Sequence, residues 1–218
     1  MLIARATQHG AGLTLYGDYW DLENLHRTIH DLAAGSPLKG DLQDYLLGLA
    51  YDVRHAFQRD REEESFGRDE YDRVIYRGVK ILWPVILFQT ALLRWSAAYQ
   101  STGKEQQANL YRLEHCAESA LNEYDASIAR ECVGWLDSFC GVPDDYLVTY
   151  VTEVCYRYVF TGAAGKTRFK RLPAALHSLR PFSKEYEEYK GNIAAVAKEK
   201  GCEPHELRLR REWPAFKW

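Results

Sequence analysis

The sequence predicts a mainly helical α+β protein, a helical bundle with a small N-terminal antiparallel β-hairpin or three-stranded sheet. Two observations predict this class. Apolar residues recur at steps of three and four through most of the chain, as they do on one face of a helix. By contrast, the first 17 residues are two β-favouring segments around the turn Gly10-Ala11-Gly12. Because 46% of the 218 residues are apolar, the chain can also bury a sizeable core.

The N-terminal segments predict the sheet. Leu2 to Thr7 and Leu13 to Gly17 flank the turn and are rich in residues that favour strands. An isolated hairpin is only marginally stable in water, so a third strand is expected. The extended run from Arg73 to Lys80 is the segment that would supply it.

Two amphipathic helices are predicted after the hairpin. Asp18 is a good N-cap for the first helix, and Asp41 begins the second, whose apolar stripe ends at Phe57. The charged run from Arg59 to Glu64, followed by Gly67, predicts a solvated loop.

The middle of the chain predicts the centre of the bundle. Pro84 fits the first turn of a helix that runs to Tyr99 and is apolar on most sides, as expected for a central helix. Helical spacing continues from Lys104 to Phe139, with a kink or a break predicted at Asp125 to Ser127. Gly141 is expected to end this helix.

Further helices are predicted in the last third of the chain. Asp144 opens a helix that continues to Tyr158, with a strand as the alternative because of its β-branched residues. The pattern weakens after the loop Gly162 to Gly165. Ser183 to Lys200 is predicted as a helix, and Pro204 to Glu212 as a short one.

Charge is distributed unevenly along the chain. Residues 1–160 carry 15 Lys and Arg against 24 Asp and Glu, whereas residues 161–218 carry 13 against 7. The segment from Val154 to Lys184 contains no acidic residue at all. We therefore divide the chain into a helical core with the hairpin, residues 1–160, and a basic helical C-terminal subdomain, residues 161–218, packed on that core.

The basic segment predicts a binding surface for an acidic partner. This favours a non-enzymatic interaction or regulatory protein. The residues predicted to contact the partner are Lys166, Arg168, Phe169, Lys170, Arg171 and Arg180. The first alternative is a nucleic-acid-binding protein, in which residues 166–180 neutralise phosphates and Phe169 stacks on a base. In a third interpretation the acid-rich segment 59–72 neutralises the basic segment, within one chain or in a second copy, so a homo-oligomer stays open.

Enzymatic motifs are missing or incomplete. The segment from Gly162 to Thr167 ends like a phosphate-binding loop, but the first glycine of that motif would fall at position 160, which is Phe160. We see no hydrolase signature. We therefore expect no cofactor, and we favour a protein that is not an enzyme.

One ligand pattern keeps a metal-dependent enzyme as the second alternative. Carboxylates and histidines recur at helical spacing on the first two helices, which resembles the ligand supply of a metal site in a helical bundle. The candidate ligands are Glu23, His26, His30, Asp52 and His55.

Two motifs in the first half of the chain resemble those of an uncharacterised bacterial protein family of unknown function. They are Gly17-Asp-Tyr-Trp-Asp-Leu22 and Tyr51-Asp-Val-Arg-His-Ala-Phe57, the second followed by Asp60-Arg-Glu62. The resemblance implies a bacterial cytoplasmic protein and no particular activity. Physically, Tyr19 and Trp20 would wedge the first helical turn against the sheet. The motifs also contain the residues of a predicted polar pocket or core network, namely Tyr19, Trp20, Asp52, Arg54 and His55.

Cysteine content and hydropathy indicate the compartment. The five cysteines include no CxxC pair and are an odd number, which favours reduced thiols and a cytoplasmic protein. The N-terminus lacks the pattern of a signal peptide. No apolar run reaches the length of a membrane span, so we expect no membrane association.

Overall fold

The structure is a computed structural model that describes residues 1–67, 73–138, 144, 146–204, 207 and 212–218. The strands are β1 (Ile3–Ala6), β2 (Gly12–Gly17), β3 (Glu62–Phe66) and β4 (Val74–Leu82). The helices are α1 (Tyr19–Ala34), α2 (Asp41–Phe57), α3 (Trp83–Ala97), α4 (Lys104–Ser138), α5 (Leu147–Phe160), α6 (Lys166–Phe169), α7 (Leu172–Ser178) and α8 (Lys184–Lys200). The predicted mainly helical α+β class is therefore confirmed.

The sheet has four antiparallel strands in the order β1-β2-β4-β3, one more than the largest sheet predicted. Strand β2 lies at its centre and every one of its residues is buried. In the register of β2 with β4, Leu13 is opposite Ile81 and Leu15 is opposite Val79. The two strands approach closely at Gly12, where a Cβ atom would lie 1.9 Å from the carbonyl oxygen of Ile81. Only glycine fits there.

The prediction of a solvated loop at 59–64 is wrong for residues 62–64, because this segment begins β3. Because Glu62 is charged and contributes no apolar surface to the core, the hydropathy pattern does not predict a strand here. Pairing with β4 nevertheless provides hydrogen-bond partners for the backbone of β3. In addition, Lys80 Nζ lies 2.9 Å from Glu62 Oε1. Glu64 likewise pairs with Arg5. The result is a charged edge strand, which disfavours pairing with a further strand.

The two amphipathic helices begin as predicted. The carboxylate of Asp18 accepts a hydrogen bond from the backbone amide of Asp21 at 2.8 Å. The carboxylate of Asp21 in turn accepts one from the backbone amide of Asp18 at 3.3 Å, which completes a capping box. The second helix begins at Asp41 and ends at Phe57.

Helix α3 is the central helix of the bundle, as predicted, and packs against α1, α2, α4, α5 and α7. Pro84 lies in its first turn, and Trp83 and Phe88 are fully buried. The one charged residue of this helix, Arg94, forms a two-pronged ion pair with Glu114 of α4, with N–O distances of 2.8 and 2.7 Å. Fork-to-carboxylate geometry of this kind fixes the relative position of two helices.

The predicted interruption of the long helix is confirmed at Asp125, whose φ of −163° and ψ of 104° are extended. Its carboxylate accepts hydrogen bonds from the amide and the hydroxyl of Ser127, at 3.0 and 2.6 Å. These bonds lower the pKa of Asp125 below its ordinary value. Asp125 therefore caps the second half of α4.

The C-terminal third contains more helix than predicted. Helices α5 and α8 are confirmed, whereas α6 and α7 follow the 162–165 loop where the sequence pattern is weak. Leu172 and Leu176 of α7 are fully buried and belong to the same core as α3 and α4. Most of the helix predicted for Pro204 to Glu212, and the stop at Gly141, lie outside the described residues. The division at residue 160 stays a prediction.

Candidate interaction surfaces

The predicted basic surface divides into exposed and buried residues. Lys166, at the start of α6, and Lys170, just after it, are exposed. Within the described part of the chain, neither lysine forms an ion pair. Arg180 is exposed between α7 and α8, and Arg171 is half-buried, with one amino group donating to the carbonyl of Tyr158 at 3.1 Å.

Arg168 does not lie on this surface. Its predicted contact with an external partner is wrong, because its side chain is buried. The residue is only 4% exposed. Its guanidinium donates to the carbonyl oxygens of Lys217 at 2.8 Å, Val159 at 3.1 Å and His9 at 3.2 Å. Burial lowers the pKa of Arg168 below its ordinary value. Its charge stabilises a junction inside the molecule.

Phe169 is buried as well. The prediction that its ring stacks on a base is therefore wrong. It is 1% exposed and packs against Trp83 and Tyr124, with ring centroids 5.9 and 4.7 Å away. An alternation of basic and aromatic residues looks the same in a sequence whether or not its ring faces solvent. Here the short helix α6 directs the aromatic residue inward.

The described acidic residues of β3 form ion pairs within the sheet and none with the basic segment. Glu62 and Glu64 pair with Lys80 and Arg5 of the sheet instead. The acidic residues at 69, 70 and 72 lie outside the described residues. On the basic side, His177 of α7 lies 3.1 Å from Glu131 of α4. The exposed basic surface that remains comprises Lys166, Lys170 and Arg180, with Arg171 at its margin.

The first two helices carry a second exposed surface. Trp20, Tyr51 and Tyr19 are 69%, 52% and 44% exposed, so Tyr19 and Trp20 do not form the predicted wedge against the sheet. The ring of Tyr19 contacts Trp20 and Phe57 at centroid distances of 5.1 and 5.5 Å. The guanidinium of Arg54 lies 5.3 Å from the ring centre of Tyr51. We call this the α1–α2 aromatic surface, comprising Tyr19, Trp20, His26, Tyr51, Arg54, His55 and Phe57.

Polar residues of the predicted pocket border the α1–α2 aromatic surface. His55 Nδ1 lies 2.8 Å from Asp60 Oδ2, and its ring contacts Tyr51 at 4.3 Å. Asp52 is half-buried; burial raises its pKa, while the charges of Arg61 and His55 oppose that rise. Asp52, His55 and Asp60 thus interact with one another at the edge of the helix pair.

The five metal candidates are not brought into one ligand set. His26 and His30 are neighbours, with ring centroids 4.5 Å apart, and His26 also packs on Phe57 at 5.7 Å. Glu23 lies 4.0 Å from Arg27. Across the described ranges, no three His, Cys, Asp or Glu residues are grouped so that they could hold a metal ion.

The described cysteines are free thiols, of which Cys116, Cys132 and Cys155 are buried and Cys202 is half-buried. Burial raises the pKa of Cys116 to about 11 and the pKa of Cys132 and Cys155 to about 12. A thiol is nucleophilic only as a thiolate, so these side chains act as small core residues at neutral pH. Cys140 lies outside the described residues.

A cavity of about 240 Å³ lies between α5, α7 and the start of α8. Sequence analysis did not find it, because its wall is assembled from three helices and contains no local motif. Apolar and aromatic side chains form most of the wall, and three charged residues lie beside them. The lining residues include Tyr150, Val154, Arg157, Tyr158, Arg171 and Glu185.

The protein is thus a mainly helical α+β protein with a charged sheet edge, a basic surface and an exposed aromatic surface. In the described ranges, no helix is both long and apolar enough to cross a membrane. The chain belongs to the family described as a domain of unknown function, DUF6904, whose model matches residues 2–218. The expected membership of a family of unknown function is thereby confirmed, over nearly the whole chain. The comparisons with curated proteins and with solved structures found no match.

Proposed function

We propose that this protein is a non-enzymatic interaction protein that binds an acidic protein partner through its exposed basic surface. The observation that carries the proposal is that Lys166 and Lys170 lie exposed, one helical turn apart, and form no ion pair within the described residues. Two lysines that form no ion pair, one at each end of a helix anchored in the core, present positive charge to solvent, and the carboxylate of Asp125 offsets part of the charge of Lys166. Such a surface steers an acidic partner and fixes its orientation.

The anchoring of α6 supports a binding role for these lysines. Phe169 and Arg168 bury the opposite side of the short helix, so Lys166 and Lys170 are held on a fixed backbone. A preorganised surface loses less conformational entropy on binding than a disordered one.

Nucleic acid is the alternative acidic partner, and the geometry favours it less. Phosphate neutralisation needs only the exposed lysines. Stacking on a base, however, needs an exposed ring, and Phe169 is not exposed. A metal-dependent enzyme finds no support in the positions of its five candidate ligands.

The experiment measures binding of fluorescent poly-glutamate, and separately of mixed single-stranded DNA and RNA, at low and high salt. The test variant is Lys166→Glu/Lys170→Glu. The matched control is Lys198→Glu/Lys200→Glu, which makes the same change in net charge at two exposed positions near the end of α8.

We expect salt-sensitive binding of poly-glutamate that falls about tenfold or more in the test variant and stays within about twofold in the control. Equal losses in both variants would show that only net charge matters and would contradict the proposed surface. Binding of DNA or RNA without binding of poly-glutamate would replace the proposal with the nucleic-acid alternative.

A further inference from the structure

The cavity between α5 and α7 has the composition of a small-molecule site. Tyr150, Val154, Tyr158 and Ala175 supply a largely apolar wall. Binding pockets typically combine such walls with a few well-placed polar groups. An engineered cavity of about 150 Å³ takes a benzene molecule. A volume of about 240 Å³ thus accommodates a ring that carries a short substituent.

Arg171 is the positively charged residue of the cavity wall that forms no ion pair among the described residues. The other arginine in the wall, Arg157, lies 2.7 Å from Glu153 in an ion pair. Arg171 donates one amino group to the carbonyl of Tyr158 and forms no ion pair within the described residues. Its Nε is buried and has no hydrogen-bond partner there either. An arginine in this state retains the donors that a carboxylate binds.

Tyr150 places a second polar group in the wall of the cavity. Its side chain is 1% exposed. Its buried hydroxyl lies near the hydroxyl of Ser178 but forms no well-aligned hydrogen bond among the described residues. Buried polar groups are nearly always satisfied, so this hydroxyl retains the capacity to donate to a further acceptor. A bound molecule with an acceptor oxygen offers such a partner.

We propose that this cavity binds a small organic carboxylate, whose apolar body lies against Val154 and Ala175 and whose carboxylate accepts hydrogen bonds from Arg171. Glu185 stands exposed beside the cavity and opposes the bound negative charge. This site goes beyond the proposed interaction with an acidic protein, and it does not depend on it, because Lys166 and Lys170 do not line the cavity.

Phenylacetate is the probe, and phenylacetamide is the control ligand, which has the same shape and no charge. Binding is measured by titration calorimetry and by chemical-shift changes of α5 and α7 in the full chain. We expect saturable binding of phenylacetate with a Kd of about a millimolar or tighter. Phenylacetamide should bind at least about tenfold more weakly, because it forms no charge-assisted bond with arginine.

Three variants test the geometry. Arg171→Gln is expected to weaken phenylacetate binding about tenfold or more, and Glu185→Gln to strengthen it, whereas the exposed neighbour Lys184→Gln should change it less than about twofold. Ala175→Leu fills the cavity without altering charge and should abolish binding, which keeps the test valid if Arg171→Gln fails to fold. Equal affinities for the acid and the amide, or binding that survives Ala175→Leu, would overturn the proposal. These outcomes are independent of poly-glutamate binding by the lysine variants.

Discussion

The buried guanidinium of Arg168 joins three segments that are far apart in the chain. His9 belongs to the hairpin turn, Val159 to the end of α5, and Lys217 to the C-terminal segment, and each offers a carbonyl oxygen to Arg168. A buried charge is costly unless hydrogen bonds replace its hydration. These acceptors replace hydration at the two amino groups in place of a carboxylate, whereas the buried Nε has no hydrogen-bond partner among the described residues.

Replacement of Arg168 by Met is therefore expected to lower the free energy of unfolding by about 2–4 kcal/mol, because it leaves buried carbonyl groups without a donor. Urea unfolding measures this loss. Lys170→Met is the matched control, since Lys170 is exposed two residues away, and its effect should stay within about 0.5 kcal/mol. A loss for Arg168→Met no larger than that of the control would contradict the structural role.

At the scale of elements, the contact between α1 and α2 contains a histidine that resists protonation. Burial lowers the pKa of His26 below its ordinary value of 6.5, and the charges of His30 and Arg54 lower it further, while Glu23 acts in the opposite direction. The ring of His26 also packs on Phe57 of α2. Protonation therefore disfavours the packed helix pair.

This predicts a loss of stability in mild acid. Because the unfolded chain binds the proton more tightly, the contribution of His26 is fully present above about pH 6.5 and declines as pH falls towards the folded-state pKa. Urea unfolding at about pH 7.5 and about pH 5.5 should show a smaller acid-induced loss for His26→Gln than for the wild type. His115→Gln, a change at an exposed position of α4, should retain the wild-type loss. Identical losses in all three proteins would contradict this assignment.

Elements with strong local signals could be predicted from the sequence, and those without them could not. Asp18 and Pro84 mark helix starts through their own backbone and side-chain chemistry, and Asp125 marks the kink in the same way. Strand β3 has no comparable signal, because its stability comes from pairing with β4 and from ion pairs across the sheet. Helix α6 has only four residues, too few to show a helical period.

At the scale of the whole molecule, the packing of the helices decides which candidate residues are exposed, and the sequence does not show which face of each helix is buried. The segment 166–180 is basic, yet its sequence could not show that Arg168 and Phe169 point inward. Similarly, Trp20 is an exposed residue although its size suggests a core role. The cavity near Arg171 is made of side chains from α5, α7 and α8, and only the packing of these helices brings them together.

The C-terminal segment contacts the hairpin turn between β1 and β2. The amide of His9 donates to the carbonyl of Trp218 at 2.8 Å, and the amide of Gly165 donates to the carbonyl of His9 at 2.8 Å. The C-terminal segment also packs its rings on α5, where Phe216 lies 5.8 Å from Phe160 between ring centroids. The last residues therefore stabilise the β1–β2 turn, about as far from them in sequence as the chain allows.

Deletion of residues 213–218 is expected to lower the free energy of unfolding by roughly 2–4 kcal/mol, since it removes backbone acceptors for His9 and Arg168 together with buried aromatic area. Hydrogen exchange should also accelerate at the turn amides of residues 9 and 10 more than in α3. Lys217→Ala is the control, because it keeps the carbonyl that Arg168 contacts and should change stability by less than about 0.5 kcal/mol. If the deletion left exchange at the turn unchanged, the C-terminal segment would be a passive covering, and the core of the molecule would hold its N-terminal sheet without it.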